Sequence, residues 1–253
     1  MKKLTISLLH LLPVAGDITY NQKLIEKAIN VAATKQAGWI VTPELATSGL
    51  QFTNVVGTDW INEQPDEWLT HLSKVVQQAN ATLFLGSAER SSTGHLYNSV
   101  YVIDRQGKVI GKQRKLSAID QWSSPGERIE PIEIDGIKTG IIICADAYPS
   151  EIASTLANKG TELLVAPSSW GPGLHGPTGE WEQRSCETGL PLFVCNRTGE
   201  DETVSFWEAE SLVIHHDKRL LAHQSKQSAC LTFDWDVDKN ELISTTFDVD
   251  QLD

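Results

Sequence analysis

Three residue types that together can open a carbonyl stand at strand-like ends of this chain. They are a carboxylate at Glu44 in "TPEL", an amine at Lys115 in "GKQRKLS" and a thiol at Cys144 in "GIIICADAYPS". A free thiol titrates near ~8.5 and is mostly protonated at neutral pH, so it attacks only when a base takes its proton. Glu44 could take that proton, pass it to a departing amine and then activate water. An ammonium at Lys115 could lower the thiol pKa and steady the oxyanion that forms on the attacked carbonyl. The backbone N–H of Ala145, where the chain turns into a helix, is a natural second donor. Each residue also has a structural reading: Glu44 as a helix-start acid, Lys115 as part of a solvated basic cluster, Cys144 as a packing thiol.

The elements around them follow from hydrophobic period and turn residues. Residues 3–12 read as a strand, and residues 21–36 as a helix with Leu24, Ala28 and Val31 on one face, Ile25, Ile29 and Ala32 beside them, and Asn21 as its N-cap. A short strand in "GWIVTPEL" is ended by Pro43. Residues 66–79 read as helix and "ATLFLGSAE" as strand. "YNSVYVIDRQGKVIGKQRK" is a hairpin turning at Gly107; Lys115 shares a face with Val109, Gly111 and Gln113, but Ile110 is apolar too, so the inner side stays undeclared. The isoleucine run of the strand over 137–143 suggests burial on both faces. "PSEIASTLANKG" is a helix bracketed by Pro149 and Gly160. "TELLVAP" and "LPLFVCN" are strands around a helix at 178–188, and 211–236 is a hairpin followed by a last strand. Alternation early and hairpins later give an α/β layered fold with a mixed sheet. Glu44, Lys115 and Cys144 then all sit beyond strand ends, where open α/β sheets place ligands.

The 253 residues, 40% hydrophobic and without a linker, repeat or low-complexity tract, read as one domain over 1–253. Acids outnumber bases 33 to 21, a net charge of -12, so nucleic acid and anionic membrane are poor partners. "MKKLTISLLHLLPVAG" has the parts of a crude leader, but Thr5, Ser7 and His10 interrupt its apolar run, and a half-buried first strand is favoured. No run reaches the ~20 apolar residues of a membrane span, which points to a cytoplasmic protein. The four cysteines, at 144, 186, 195 and 230, fit neither a disulfide framework nor a CxxC metal site. His215, His216 and Asp217 fall in a hairpin turn rather than a metal site, and no metal or cofactor is expected. Ser150, six residues after Cys144, excludes a phosphatase loop, and nothing around His175 fits a papain-like site.

Taken together, "TPELATSG", "GKQRKLS" and "GIIICADAYPSEIASTLANKGTELLVAPSSW" resemble the nitrilase superfamily, the carbon–nitrogen hydrolases, in order and over most of the chain. The resemblance implies an α-β-β-α sandwich, a Glu44–Lys115–Cys144 triad with Arg114 as the lysine's basic neighbour, a small amide as substrate, and a homodimer or higher homo-oligomer. It also implies a second, supporting acid before a Pro-Gly. Asp120 stands near that place, off by about one position, and Glu127 lies on the far side of Pro125-Gly126. Ala145 replaces the family's aromatic, and Ser117 stands where several relatives have a histidine. Tyr148 stands where relatives that bind carboxylates carry arginine, so an anionic amide is less supported. Trp122, Tyr148, Trp170 and His175 are the pocket candidates, with Trp181 in the same loop region, while Glu182, Arg184 and Glu187 read as a structural ion-pair set. The leading expectation is a thiol amidase. Nitrile and carbamoyl (ureido) hydrolysis by the same triad remain alternatives, as does a scaffold of this fold with little turnover.

Overall fold

The computed structural model describes residues 2–118 and 120–252. Its first five strands are β1 (Lys3–His10), β2 (Trp39–Val41), β3 (Thr82–Arg90), β4 (Leu96–Ile103) and β5 (Val109–Arg114). The next six, β6 (Ile132–Ile134), β7 (Ile137–Ile141), β8 (Leu163–Pro167), β9 (Leu192–Cys195), β10 (Ser211–His215) and β11 (Lys218–His223), form a second sheet. The chain then returns to the first sheet with β12 (Ala229–Asp236), β13 (Glu241–Leu242) and β14 (Asp248–Gln251). The first sheet has the order β13-β12-β1-β2-β3-β4-β5, with β14 also on β12; the second runs β11-β10-β9-β8-β7-β6. Parallel pairs lie at the centre of each sheet, and antiparallel hairpins extend the edges.

Strand alternation explains the layers. Ile6, Leu8, Trp39, Val41, Phe84, Val100 and Val102 point inward and meet Ile141, Val165 and Phe193 of the second sheet. Their neighbours Leu9, Ile40, Leu83, Leu85 and Ile103 point outward and are covered by α1 (Ile18–Thr34) and α3 (Glu67–Ala79). A four-residue helix, α2 (Thr53–Val56), lies between these two in the chain. On the far side, α4 (Ser150–Asn158) and α5 (Glu180–Thr188) cover the second sheet through buried Ile152, Leu156 and Trp181. The architecture is the expected α-β-β-α sandwich.

Several local expectations are corrected. Asp17 caps α1, accepting the backbone N–H of Tyr20, and Asn21 is a buried residue inside the helix that bonds both backbone groups of Val14. β1 stops at His10, and rather than being half-buried it is a central strand covered on both faces from Ile6 onward. β7 stops at Ile141, three residues before the thiol. The short pairings of β13 and β14, beyond residue 236, are additional to the elements read from the sequence. Among the described residues, no helix is long and apolar enough to cross a membrane.

Candidate active site

Glu44, Lys115 and Cys144 converge at one end of the interface between the sheets. β2 ends at Val41, Pro43 forbids a further ladder bond, and the chain turns across the neighbouring strand β3. That crossing is close: a Cβ at Gly86 of β3 would fall 2.1 Å from the carbonyl oxygen of Pro43, so only glycine leaves room beneath Glu44. Glu44 is fully buried and held from several sides. Its Oε1 accepts from Lys115 Nζ at 2.6 Å and from Asn98 Nδ2 at 2.8 Å, its Oε2 accepts the backbone N–H of Ser169 at 3.1 Å, and its carbonyl accepts Ser169 Oγ at 2.8 Å.

Lys115 follows β5, whose register settles the face the sequence left open. Gln113 and Lys115 are buried toward the interior, while Lys112 and Arg114 point out and pair with buried Glu89; Arg114 also stacks on Tyr97. Burial alone would pull the lysine pKa down, but the Glu44 carboxylate, with smaller help from Cys144 and Asp120, holds it above its ordinary value. Lys115 is therefore a fixed ammonium.

Cys144 opens a 3₁₀ turn, Cys144–Ala147, that links β7 to α4. Its φ of 49° is in the left-handed region, uncommon for a residue with a Cβ. The thiol lines the same cavity as the Glu44 carboxylate and Ser169, and both act on it electrostatically. Burial and then the Glu44 charge push its pKa up, and Lys115 offsets only part of this. At rest the sulfur is a thiol beside a carboxylate, an arrangement that suits proton transfer during attack rather than a preformed thiolate.

A cavity of about 390 Å³ opens above these groups. Ala145, Tyr148, Trp170 and His175 line it together with Asp120. The Tyr148 hydroxyl and the Trp170 indole N–H both donate to the backbone carbonyl of His175, at 2.8 and 2.7 Å, which pins the loop 171–176 over the opening. Trp122 is not among the lining residues: it packs edge-on against Phe52 at 4.9 Å, over a neighbouring depression. Burial raises the pKa of Asp120 despite the attraction of Lys115. Glu127 is exposed and outside the cavity. Ser117 donates its backbone N–H to Asp146. Arg184 bonds the carbonyl of Tyr148 and pairs with Glu187 at 3.0 Å, and Glu182 pairs with Arg219, so these charges serve the scaffold. Among the described residues, no group of three or more His, Cys, Asp or Glu side chains is placed to hold a metal.

Three further residues hold the site together without standing out in the sequence: Asn98, Ser169 and Asp146. Asn98 carries the signal of a polar residue on the inward face of an apolar strand, and Ser169 that of a small polar residue directly after a buried one. Asp146 stands two positions after the thiol, and only the folded turn reveals that it accepts backbone N–H groups from the lysine loop.

The family model described as "Carbon-nitrogen hydrolase" matches residues 5–242. The chain belongs to the carbon–nitrogen hydrolase family. It is thus a member of the nitrilase superfamily and a hydrolase of carbon–nitrogen bonds other than peptide bonds. It is similar to "Omega-amidase NIT2-A" of Xenopus laevis, 29% identical over 236 residues, covering 84% of this chain and 82% of that one. It is also similar to the "2-oxoglutaramate amidase" of Bacillus subtilis, 26% identical over 244 residues, covering 94% and 93%. Among solved structures, Saccharomyces cerevisiae Nit3, a member of branch 10 of the nitrilase superfamily, superposes with a TM-score of 0.82 at 21% identity over 94% of this chain and 93% of that chain. A mutant amidase from Nesterenkonia sp. AN1, with acrylamide added to its active-site cysteine, gives 0.80 at 19% identity over 90% and 92%. These structural likenesses speak for the fold.

Proposed function

We propose that this carbon–nitrogen hydrolase is an amidase that works through a thioester on Cys144. The observation that carries the reading is the buried Glu44 carboxylate, bonded to Lys115 Nζ at 2.6 Å and lining one open cavity with Lys115 and the Cys144 thiol. The amidase relatives support the bond type.

In the first half-reaction Sγ forms a bond to the amide carbon as Glu44 takes the thiol proton. The carbonyl π electrons move to oxygen, where the Lys115 ammonium and the Ala145 backbone N–H offer positive ends of dipoles and charge. Glu44 returns the proton to the amide nitrogen, the C–N bond breaks, and ammonia or an amine leaves. In the second half, water gives a proton to Glu44 and its oxygen attacks the thioester carbon. The C–S bond breaks, the sulfur recovers the proton, and a carboxylic acid departs. Asn98 and Ser169 keep the carboxylate of Glu44 aimed at the sulfur through both halves. Asp120 supports the lysine from the cavity side. The reading extends to a cytoplasmic homo-oligomer acting on a small molecule.

The test is ammonia release from a panel of carboxamides, with a nitrile and a ureido compound included, by the intact chain and by Cys144→Ala. Release from carboxamides, abolished by Cys144→Ala, with the acyl mass recovered on Cys144 by mass spectrometry, is expected. Turnover confined to the nitrile or ureido compound, or turnover that survives in Cys144→Ala, overturns the amidase reading.

A further inference from the structure

The charges around the cavity say what kind of acyl group it takes. Among its described lining residues, Lys115 is the sole lysine or arginine, and its ammonium is already 2.6 Å from the Glu44 carboxylate, with 3% exposure. Asp120 adds a second acid to the lining, and its buried Oδ2 has no hydrogen-bond partner. Outside the rim stand further acids. Glu180 is close enough to the Tyr148 phenol to help burial raise its pKa, and Glu202 accepts from Asn54 of α2. Arg197, whose guanidinium feels the Glu44 charge, is fully buried and bonded to Asp201 and the carbonyl of Pro13. Arg184 faces away, toward backbone carbonyls and Glu187.

The remaining wall is largely apolar, with Ser169, His175, Thr203 and Ser205 as its polar members. Leu50, Trp170, Pro172, Leu174 and Val204 enclose the space, and the polar atoms of Tyr148 and Trp170 that could greet an anion are spent on the His175 carbonyl. A carboxylate on the far end of a substrate would leave water for a cavity holding acids and no free cation, a transfer that costs several kcal/mol uncompensated. An alkyl or aryl group entering the same space loses only water contacts and is favoured by its buried area.

We propose that the acyl portion of the substrate is uncharged and apolar, that is, the carboxamide of an aliphatic or arylalkyl monocarboxylic acid, and that amides bearing a second carboxylate are discriminated against. This rests on the amidase reading above, and it departs from a direct transfer of the activity named for the Bacillus subtilis relative, since 2-oxoglutaramate is a dicarboxylate half-amide. The specificity-determining residue is Tyr148, which stands on the rim where a cation would be needed.

The test separates binding from turnover. Hexanamide and levulinamide (4-oxopentanamide) are compared with succinamate, which is the same size as levulinamide but anionic. All are titrated calorimetrically against Cys144→Ala and assayed with the intact chain at pH 8. The neutral amides are expected to bind, and to react as judged by kcat/KM, better than succinamate by roughly tenfold or more. Tyr148→Arg is expected to narrow or invert that ratio by improving succinamate. Leu174→Arg, at the 94% exposed loop tip where folding is not at stake, is expected to act in the same direction. Succinamate binding as tightly as levulinamide, or no neutral amide binding to Cys144→Ala, overturns the inference, while ammonia release by the intact chain tests the amidase reading separately. Conversely, neutral amides that bind Cys144→Ala but release no ammonia with the intact chain sink the amidase reading and leave the inference standing.

Discussion

Asp146 Oδ1 accepts the backbone N–H of Ser117 at 2.6 Å, joining two loops 29 residues apart. The same oxygen takes the Leu116 N–H at 3.0 Å, while Oδ2 takes the Ile143 N–H at 3.2 Å. One buried carboxylate thus fixes the residues directly after Lys115 and the residue directly before Cys144. Burial raises its pKa and the three backbone donors work against that rise. Asp146→Ala leaves those donors unpaired in a dry interior and is expected to cost on the order of 3 kcal/mol of stability. Because the lysine loop and the thiol turn lose their shared anchor, kcat should fall more than KM rises. Denaturant unfolding and steady-state kinetics on one preparation check both. A variant with unchanged kcat shows that the anchor has no part in the chemistry.

The Lys115–Glu44 pair is buried on both sides, with 3% and 0% exposure. Removing one partner of such a pair strands the other charge, which typically costs about 3–5 kcal/mol. Lys115→Met should therefore lower the unfolding free energy by about that amount and abolish turnover. The double variant Lys115→Met/Glu44→Gln should recover much of the stability and none of the activity. Equal stability of single and double variants would remove the case for direct coupling.

The raised pKa of Cys144 predicts the pH course of alkylation. In a Cys186→Ser background, which removes the exposed thiol, iodoacetamide labelling of Cys144 should climb through and beyond the ordinary thiol range with no plateau near neutrality. A plateau at or below pH 7 would reveal a preformed thiolate and reassign Glu44.

Asp201 is the keystone of the cavity's outer wall. Its Oδ2 accepts the N–H groups of Leu50 and Gln51 at 2.9 and 3.0 Å and pairs with Arg197, whose guanidinium also lies 4.3 Å over the Phe206 ring. The loop it begins supplies Thr203, Val204 and Ser205 to the lining. Asp201→Ala strands Arg197 and should destabilise by about 3–5 kcal/mol. The gentler Asp201→Asn keeps an acceptor and should show mainly a higher KM, read in the same amide assay.

His10 makes stability depend on pH. Burial first, and then the neighbouring His223, lowers its pKa from 6.5 to about 3. The folded state thus binds fewer protons than the unfolded state between those values. The contribution is complete above pH 6.5 and is lost as pH falls toward 3. At about 1.36 kcal/mol per pH unit, roughly 2 kcal/mol goes between pH 6.5 and pH 5. Urea titrations at pH 7 and pH 5 should show a clearly smaller drop in His10→Asn than in the wild type, the remainder coming from His215 and His223, whose pKa values burial also lowers.

The sequence carried the layers well, because period-2 strands such as β1 and β3 and the 3.6-residue period of α1 are local. It carried the three candidate site residues because each sits within three positions of a recognisable strand end. It did not reveal which side of β5 is internal, since Val109 and Ile110 are both exposed and only Gly111 packing under Ile132 and Gln113 bonding Arg128 declare the face. Nor could it separate Trp122 from the pocket. Both it and Tyr148 are loop aromatics, and their difference is a contact with Phe52, seventy positions away, that no local pattern encodes. Asn98, Ser169 and Asp146 escaped for the same reason: their partners are 54, 125 and 29–30 residues distant.

The φ of 49° at Cys144 has an evolutionary corollary. A Cβ in that conformation is a standing liability of about 1 kcal/mol that glycine escapes. Cys144→Gly should therefore melt higher than Cys144→Ala, although it fills less space. The sulfur occupies a place where robustness alone would choose no side chain, so relaxed selection on turnover should erode this position readily.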